Sequence, residues 1–125
     1  MGKYVIQSAK SGLRFDLRTA GGEVILSGEA YHSLRSCKNG IASVMRNAPI
    51  AALEDQTAAD WEEQKCPKFE LYADRAGAYR FRLKAKNGQI IGVSAPYQRR
   101  SGCLGGIDAV RRNGDSGIED RRGDR

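Results

Sequence analysis

Few side chains in this 125-residue sequence could do chemistry. His32 is the sole histidine. It precedes a helix and has no recognisable cysteine or serine partner in the sequence, so it is expected on a loop surface rather than in a catalytic pair. Cys37 and Cys103 fall on apolar helix faces, where a small thiol is a core residue rather than a nucleophile. Cys66 is less constrained and is the candidate reactive thiol. The run Gly102-Cys103-Leu104-Gly105-Gly106 lacks the lysine and Ser/Thr of a phosphate loop and lies within a helix rather than after a strand. Arg122-Gly123-Asp124 matches an adhesion tripeptide by composition only. No pair of carboxylates stands out as acid and base, because the acids cluster in one connector. No C-x-x-C pair exists, which argues against a zinc ribbon. Nothing points to a metal or an organic cofactor, and the pattern speaks against an enzyme.

The remaining chemistry is basic. Arg14 and Arg18 share a parity with Asp16 along one apolar-alternating segment, and Arg80, Arg82 and Lys84 do the same along another. All five would project from the same side of one sheet, with Tyr72 joining from the neighbouring strand. Basic residues with an aromatic on an open sheet can bind single-stranded nucleic acid by charge and stacking. No RNP-like aromatic motif is present, and the uncovered side of a two-layer fold is often simply polar. Arg46, Arg111 and Arg112, at helix ends, form a competing surface. They have a local reason to be there, since they complement the helix dipole; the sheet arginines have no such reason in the sequence.

The elements that must carry these residues are legible. In Tyr79–Leu83, Phe81 and Leu83 alternate with Arg80 and Arg82, the period-2 pattern of a half-buried strand. Asn87-Gly88 predicts a two-residue hairpin, followed by a second strand. The same text stands earlier at Arg14–Ile25. Shifted by about 66 positions, Phe15 falls on Phe81, Leu17 on Leu83, Gly22 on Gly88, Tyr31 on Tyr97, Cys37 on Cys103, Gly40 on Gly106 and Asn47 on Asn113. The chain is a tandem repeat.

Strands are predicted at Tyr4–Ser8, Leu13–Thr19 and Glu23–Ser27, with Leu13, Phe15 and Leu17 inward and Arg14, Asp16 and Arg18 outward. A loop follows over Gly28–His32, anchored by Tyr31. Ser33 is the expected N-cap of a helix over Leu34–Arg46, which Asn47-Ala48-Pro49 ends. Gly40 inside that helix costs about 1 kcal/mol relative to alanine. Its recurrence at Gly106 implies a close approach of the helix backbone to the sheet or the other helix. A short strand is predicted at Ala51–Thr57 and a helical turn around Trp61. The second copy supplies strands at Lys68–Asp74, Tyr79–Ala85 and Gln89–Ser94, a helix over Ser101–Arg112, and a short strand at Ile118–Asp120.

One copy of 50–55 residues would be marginal alone, so the economical solution is one core shared by both. The expected division is repeat one over 1–57, an acidic connector over 58–66, repeat two over 67–121 and a disordered tail over 122–125. An odd cysteine count argues against a disulfide framework. There is no N-terminal apolar run with a cleavage site and no stretch of membrane-spanning length, so a soluble, cytoplasmic protein is expected. The formal net charge is +6. Because Ala48–Cys66 carries five acids against one lysine and the tail is slightly acidic, the repeat bodies hold about +11. That charge could attract nucleic acid or another polyanion, or be an ordinary solvated surface.

Gly22–Tyr31, Asn39–Val44 and Asn47-Ala48-Pro49, with Phe81–Gly88 and Gly106–Val110 in the second half, resemble the YegP family of bacterial and archaeal proteins. The resemblance covers nearly the whole chain. It implies an α+β fold of two β3-α-β units that build one antiparallel sheet, exchange their C-terminal strands, and pack both helices on one face. Ala51–Thr57 and Asp115–Arg121 would be the exchanged strands. A single-repeat member would need a partner chain; a tandem member can satisfy itself, so a monomer with internal pseudo-two-fold symmetry is expected. Gly28 stands where the family has the serine kept here as Ser94, and Ala95-Pro96 departs from the usual loop. The resulting functional expectation is a small non-catalytic binding or interaction module of unknown partner. The alternatives are a weak, sequence-independent nucleic-acid or polyanion binder using Arg14, Arg18, Arg80, Arg82 and Lys84, and an enzyme of unrecognised type.

Overall fold

In the computed structural model, which describes residues 2–122, ten elements follow in the order β1 (Lys3–Ala9), β2 (Gly12–Arg18), β3 (Val24–Tyr31), α1 (Leu34–Asn47), β4 (Ala52–Asp55), β5 (Lys68–Ala73), β6 (Tyr79–Lys84), β7 (Ile90–Val93), α2 (Arg100–Asn113) and β8 (Gly117–Asp120). The strands form one open sheet in the order β4-β5-β6-β7-β3-β2-β1-β8. Each repeat's last strand lies beside the other repeat's first strand: β4 pairs with β5, and β8 with β1. The strand exchange is therefore made within one chain.

The sheet is mixed, not wholly antiparallel. Its six inner strands alternate because tight turns or the central seam join them, whereas β4–β5 and β1–β8 run parallel. Parallel neighbours need a crossover of about a dozen residues or more. Between β4 and β5 that crossover is the polar connector, which passes without helix or strand from Gln56 to Pro67. The helical turn expected around Trp61 does not form. The Gln64 N–H donates to Glu54 Oε1 at 2.7 Å instead of to a helical carbonyl, and Trp61 is half-exposed with no apolar stripe to bury.

The hairpins differ from the two-residue turn that Asn87-Gly88 suggests. The Gly88 N–H donates to Ala85 O (2.8 Å), the Ala85 N–H to Gln89 O (2.9 Å), and Gly88 alone has positive φ (86°). This is a three-residue loop closed by a left-handed glycine. Gly22 and Gly77 close the β2–β3 and β5–β6 turns in the same way. β3 also runs on through the segment expected to be a loop, since Phe15 pairs with Gly28 and Leu13 with Tyr31.

Both helices pack on one face over a core shared by the two repeats. Tyr4 meets Phe15 edge to face and Tyr31 stacks on Phe15, while Phe69, Phe81 and Tyr97 repeat the arrangement. The phenols explain the helix glycines. A Cβ at Gly40 would lie 2.6 Å from Tyr31 Cζ, and one at Gly106 2.8 Å from Tyr97 Cζ. Ser33 caps α1 by accepting the Ser36 N–H at 3.0 Å. β8 is ordered through Asp120, and Arg122 pairs with Asp120; the rest of the expected disordered tail, residues 123–125, lies outside the described residues.

Candidate functional site

The strand periodicity places Arg14, Arg18, Arg80, Arg82 and Lys84 on the sheet face away from the helices, because Phe15, Leu17, Phe81 and Leu83 between them enter the core. Ser27 links the two groups across the seam: its Oγ accepts from Arg14 at 3.1 Å, and Ser27 pairs with Val93, which pairs with Arg82. The five cations thus share one surface. The structure also gives each of them a local partner.

In repeat one the centre is Asp16, which points to this face yet is only 3% exposed. Its Oδ1 accepts from Arg14 Nη2 at 2.6 Å and from Ser27 Oγ at 2.7 Å. Gln7 Nε2 donates to Oδ2 at 2.9 Å, and Arg18 Nη2 lies 3.6 Å away. In repeat two the centre is Glu70, also 3% exposed. Arg82 Nε, Lys84 Nζ and Lys68 Nζ lie 2.5, 3.1 and 3.2 Å from its oxygens. Lys68 reaches Glu54 as well, at 2.8 Å, and Glu54 accepts from Gln56 and from the connector N–H of Gln64. Arg80 Nε donates to Asp74 at 2.8 Å, and the Arg82 guanidinium lies 4.6 Å above the Tyr72 ring.

Burial raises the Glu70 carboxyl, but hydrogen bonds from Arg82, Lys84 and Lys68 outweigh it and hold it at about 2. Burial likewise raises Glu54, and its contacts with Lys68, Gln56 and Gln64 carry it below the usual carboxylate value. Burial lowers Lys68, yet Glu54 and Glu70 hold it above the ordinary lysine value. All three ions are therefore charged at neutral pH. The sheet arginines, which the sequence leaves without a local reason, are the counterions of half-hidden carboxylates. Arginine keeps unused donors after one such contact, because the guanidinium has five N–H groups in a fixed plane.

The other candidates fall elsewhere. His32 is exposed between β3 and α1. Cys37 and Cys103 are buried, and burial pushes both thiols up to about 11. Cys66 is half-buried beside Pro67. Gly102–Gly106 lies within α2. Among the helix-end arginines, Arg111 stacks on Phe69 at 4.9 Å and donates to Ala48 O, and Arg112 pairs with Asp108. Among the described residues no group of three or more His, Cys, Asp and Glu could hold a metal ion. No helix among them is long and apolar enough to cross a membrane. Sequence reasoning missed Glu54, Lys68 and Glu70 as site residues. The alternation of Lys68, Glu70 and Tyr72 with Phe69 and Leu71 carried the signal for two of them; Glu54 was concealed among the connector acids.

The fold, two copies of a three-strand, one-helix unit with exchanged strands and an ion-paired sheet face opposite the helices, defines the class. A family model described as a domain of unknown function (DUF1508) matches residues 8–55 and 74–120, and the chain belongs to this family. A UPF0339 protein YegP from Yersinia pestis is 40% identical over 115 residues, 91% of this chain and 89% of that protein. The solution structure of yegP from E. coli, described as a protein of unknown function, superposes with TM-score 0.79 at 32% identity and covers 99% of this chain and 96% of that one. A UPF0339 protein of Treponema denticola is 52% identical over 46 residues, which make up 79% of that protein but 37% of this chain, the length of one unit.

Proposed function

We propose that the protein is a non-catalytic binding module and that its contact surface is the open sheet face, with Arg14, Arg18, Arg80, Arg82 and Lys84 as the donors. The observation that carries this reading is the pair of buried carboxylates. Asp16 fixes Arg14 and Arg18, and Glu70 fixes Arg82 and Lys84, so four flexible cations are held in place before any partner arrives. Fixing them in advance lowers the entropy cost of an interface. Binding is favoured over catalysis because these groups lie across an open sheet rather than converging on a concave pocket.

A polyanion is the partner class that the face favours. Counting Glu29 beside Arg14 and Glu54 beside Lys68, charges balance around Asp16, while three cations face two carboxylates around Glu70, so the positive excess lies in repeat two. The Arg82 guanidinium, stacked on Tyr72, adds a flat surface on which a base could stack. The test is titration with a labelled single-stranded oligonucleotide at two salt concentrations. The variant carries Arg14→Gln, Arg80→Gln and Arg82→Gln. It leaves Arg18 beside Asp16 and Lys68 and Lys84 beside Glu70, so neither buried carboxylate is orphaned. The reading predicts weaker binding and a shallower salt dependence for the variant. Absence of wild-type binding at low salt removes the polyanion; wild-type affinity in the variant removes the sheet face.

A further inference from the structure

The pseudo-two-fold arrangement creates two related clefts on the helix side of the sheet, and their linings have diverged. One cleft, about 350 Å³, lies between the end of α1 and the β6–β7 hairpin, and its walls include Arg46, Ile50, Ala85, Lys86 and Asn87. Its counterpart, about 360 Å³, lies between α2 and the β2–β3 hairpin, and its walls include Thr19, Glu23 and Arg112. Both volumes fall in the range of small-molecule sites.

At two of the three hairpin positions that differ over 86–89 the first cleft side is the more cationic, and at the third the change is neutral. Lys86 replaces Ala20, Asn87 replaces Gly21, and Gln89 replaces Glu23. Arg46 corresponds to Arg112, but Arg112 is neutralised by Asp108 one turn earlier, where α1 has Ala42. Among the described residues neither Arg46 nor Lys86 has an ion-pair partner. The helix dipole accounts for an arginine in the last turn of either helix. It does not account for the change on the hairpin, which belongs to a different element. Asn87 Oδ1 accepts the Gln89 N–H at 3.0 Å, which leaves its amide nitrogen as a donor. Beside these polar groups Ile50 is 71% exposed, and Ala85 lines the floor.

We infer that this cleft binds a small organic anion, its charged group between Arg46 and Lys86 and its apolar body against Ile50 and Ala85. The site is on the opposite side of the sheet from the open face and does not depend on it. The probes are phenyl phosphate, benzoate and inorganic phosphate, followed by amide NMR shifts of the full chain. Saturable shifts are expected at residues 43–50 and 85–89 with phenyl phosphate or benzoate, and weaker ones with inorganic phosphate. The tighter of the two aromatic probes distinguishes a phosphate ester from a carboxylate. Arg46→Gln with Lys86→Gln, both at exposed positions, should weaken binding by about tenfold or more, because each supplies a charge-assisted contact. Equal shifts at the counterpart cleft, unchanged binding in the double variant, or no saturable shift at millimolar probe would overturn the inference.

Discussion

Replacing Glu70 with Gln keeps the side chain's shape and removes its charge, leaving Lys68, Arg82 and Lys84 around a neutral amide. The carboxyl is lowered from 4.5 to about 2 in the fold. That depression corresponds to about 3 kcal/mol of stability at neutral pH, since each factor of ten in proton affinity is worth about 1.4 kcal/mol. The sign follows from the direction. A group whose folded value is depressed stabilises the fold above its unfolded value and loses that contribution as pH falls from about 4.5 toward 2. Glu54, Asp55, Asp74, Glu119 and Asp120 are also lowered, so wild type and variant should both weaken in acid. The difference between them isolates Glu70. Urea denaturation at pH 7 should place Glu70→Gln about 3 kcal/mol below wild type, and at pH 2.5 the two curves should draw together. A difference under about 0.5 kcal/mol at pH 7, or an equal one at both pH values, refutes the claim that Glu70 is the charged centre of this face.

Four further outcomes follow from the packing and the strand pairing. Phe15→Ala and Phe81→Ala should each cost about 3–5 kcal/mol by chemical denaturation, because both rings are fully buried. Arg80→Ala should stay within about 0.5 kcal/mol of wild type, since its partner Asp74 lies at the surface. Gly40→Ala should destabilise by about 1–3 kcal/mol despite alanine's better helix propensity, and Tyr31→Phe in the same chain should recover part of the loss, because the new methyl meets the phenol. In sedimentation the chain should run as a monomer at micromolar concentration, since both exchanged strands find their neighbours internally; an obligate dimer contradicts this.

Local pattern made most of the architecture legible. The recurrence of Phe15 at Phe81 and of Tyr31 at Tyr97 marks the duplicated core, and Ser33 and Pro49 bracket α1. The direction of the edge strands was not legible, because no hairpin signal sets it: β4 reaches β5 through the connector, and β8 reaches β1 from the far end of the chain. Trp61 misled for a related reason: an aromatic in a polar segment suggests a helical turn until the Gln64 N–H is seen to serve Glu54. At the candidate site, parity placed the five cations together. It could not reveal that Asp16 is buried on the open face, since period-2 reasoning assigns a face and not a depth. Arg14 therefore carries more structural weight than an exposed strand arginine, because it donates twice to that carboxylate.

The central claim is that the open, ion-paired sheet face is the contact surface. Its most direct test is an amide shift map of wild-type protein titrated with a short single-stranded oligonucleotide at low salt. The account predicts perturbations concentrated in Leu13–Arg18, Lys68–Tyr72 and Tyr79–Lys84, with α1 and α2 quiet. Perturbations concentrated at the helix ends around Arg46, Arg111 and Arg112, or none along β2 and β6, contradict it.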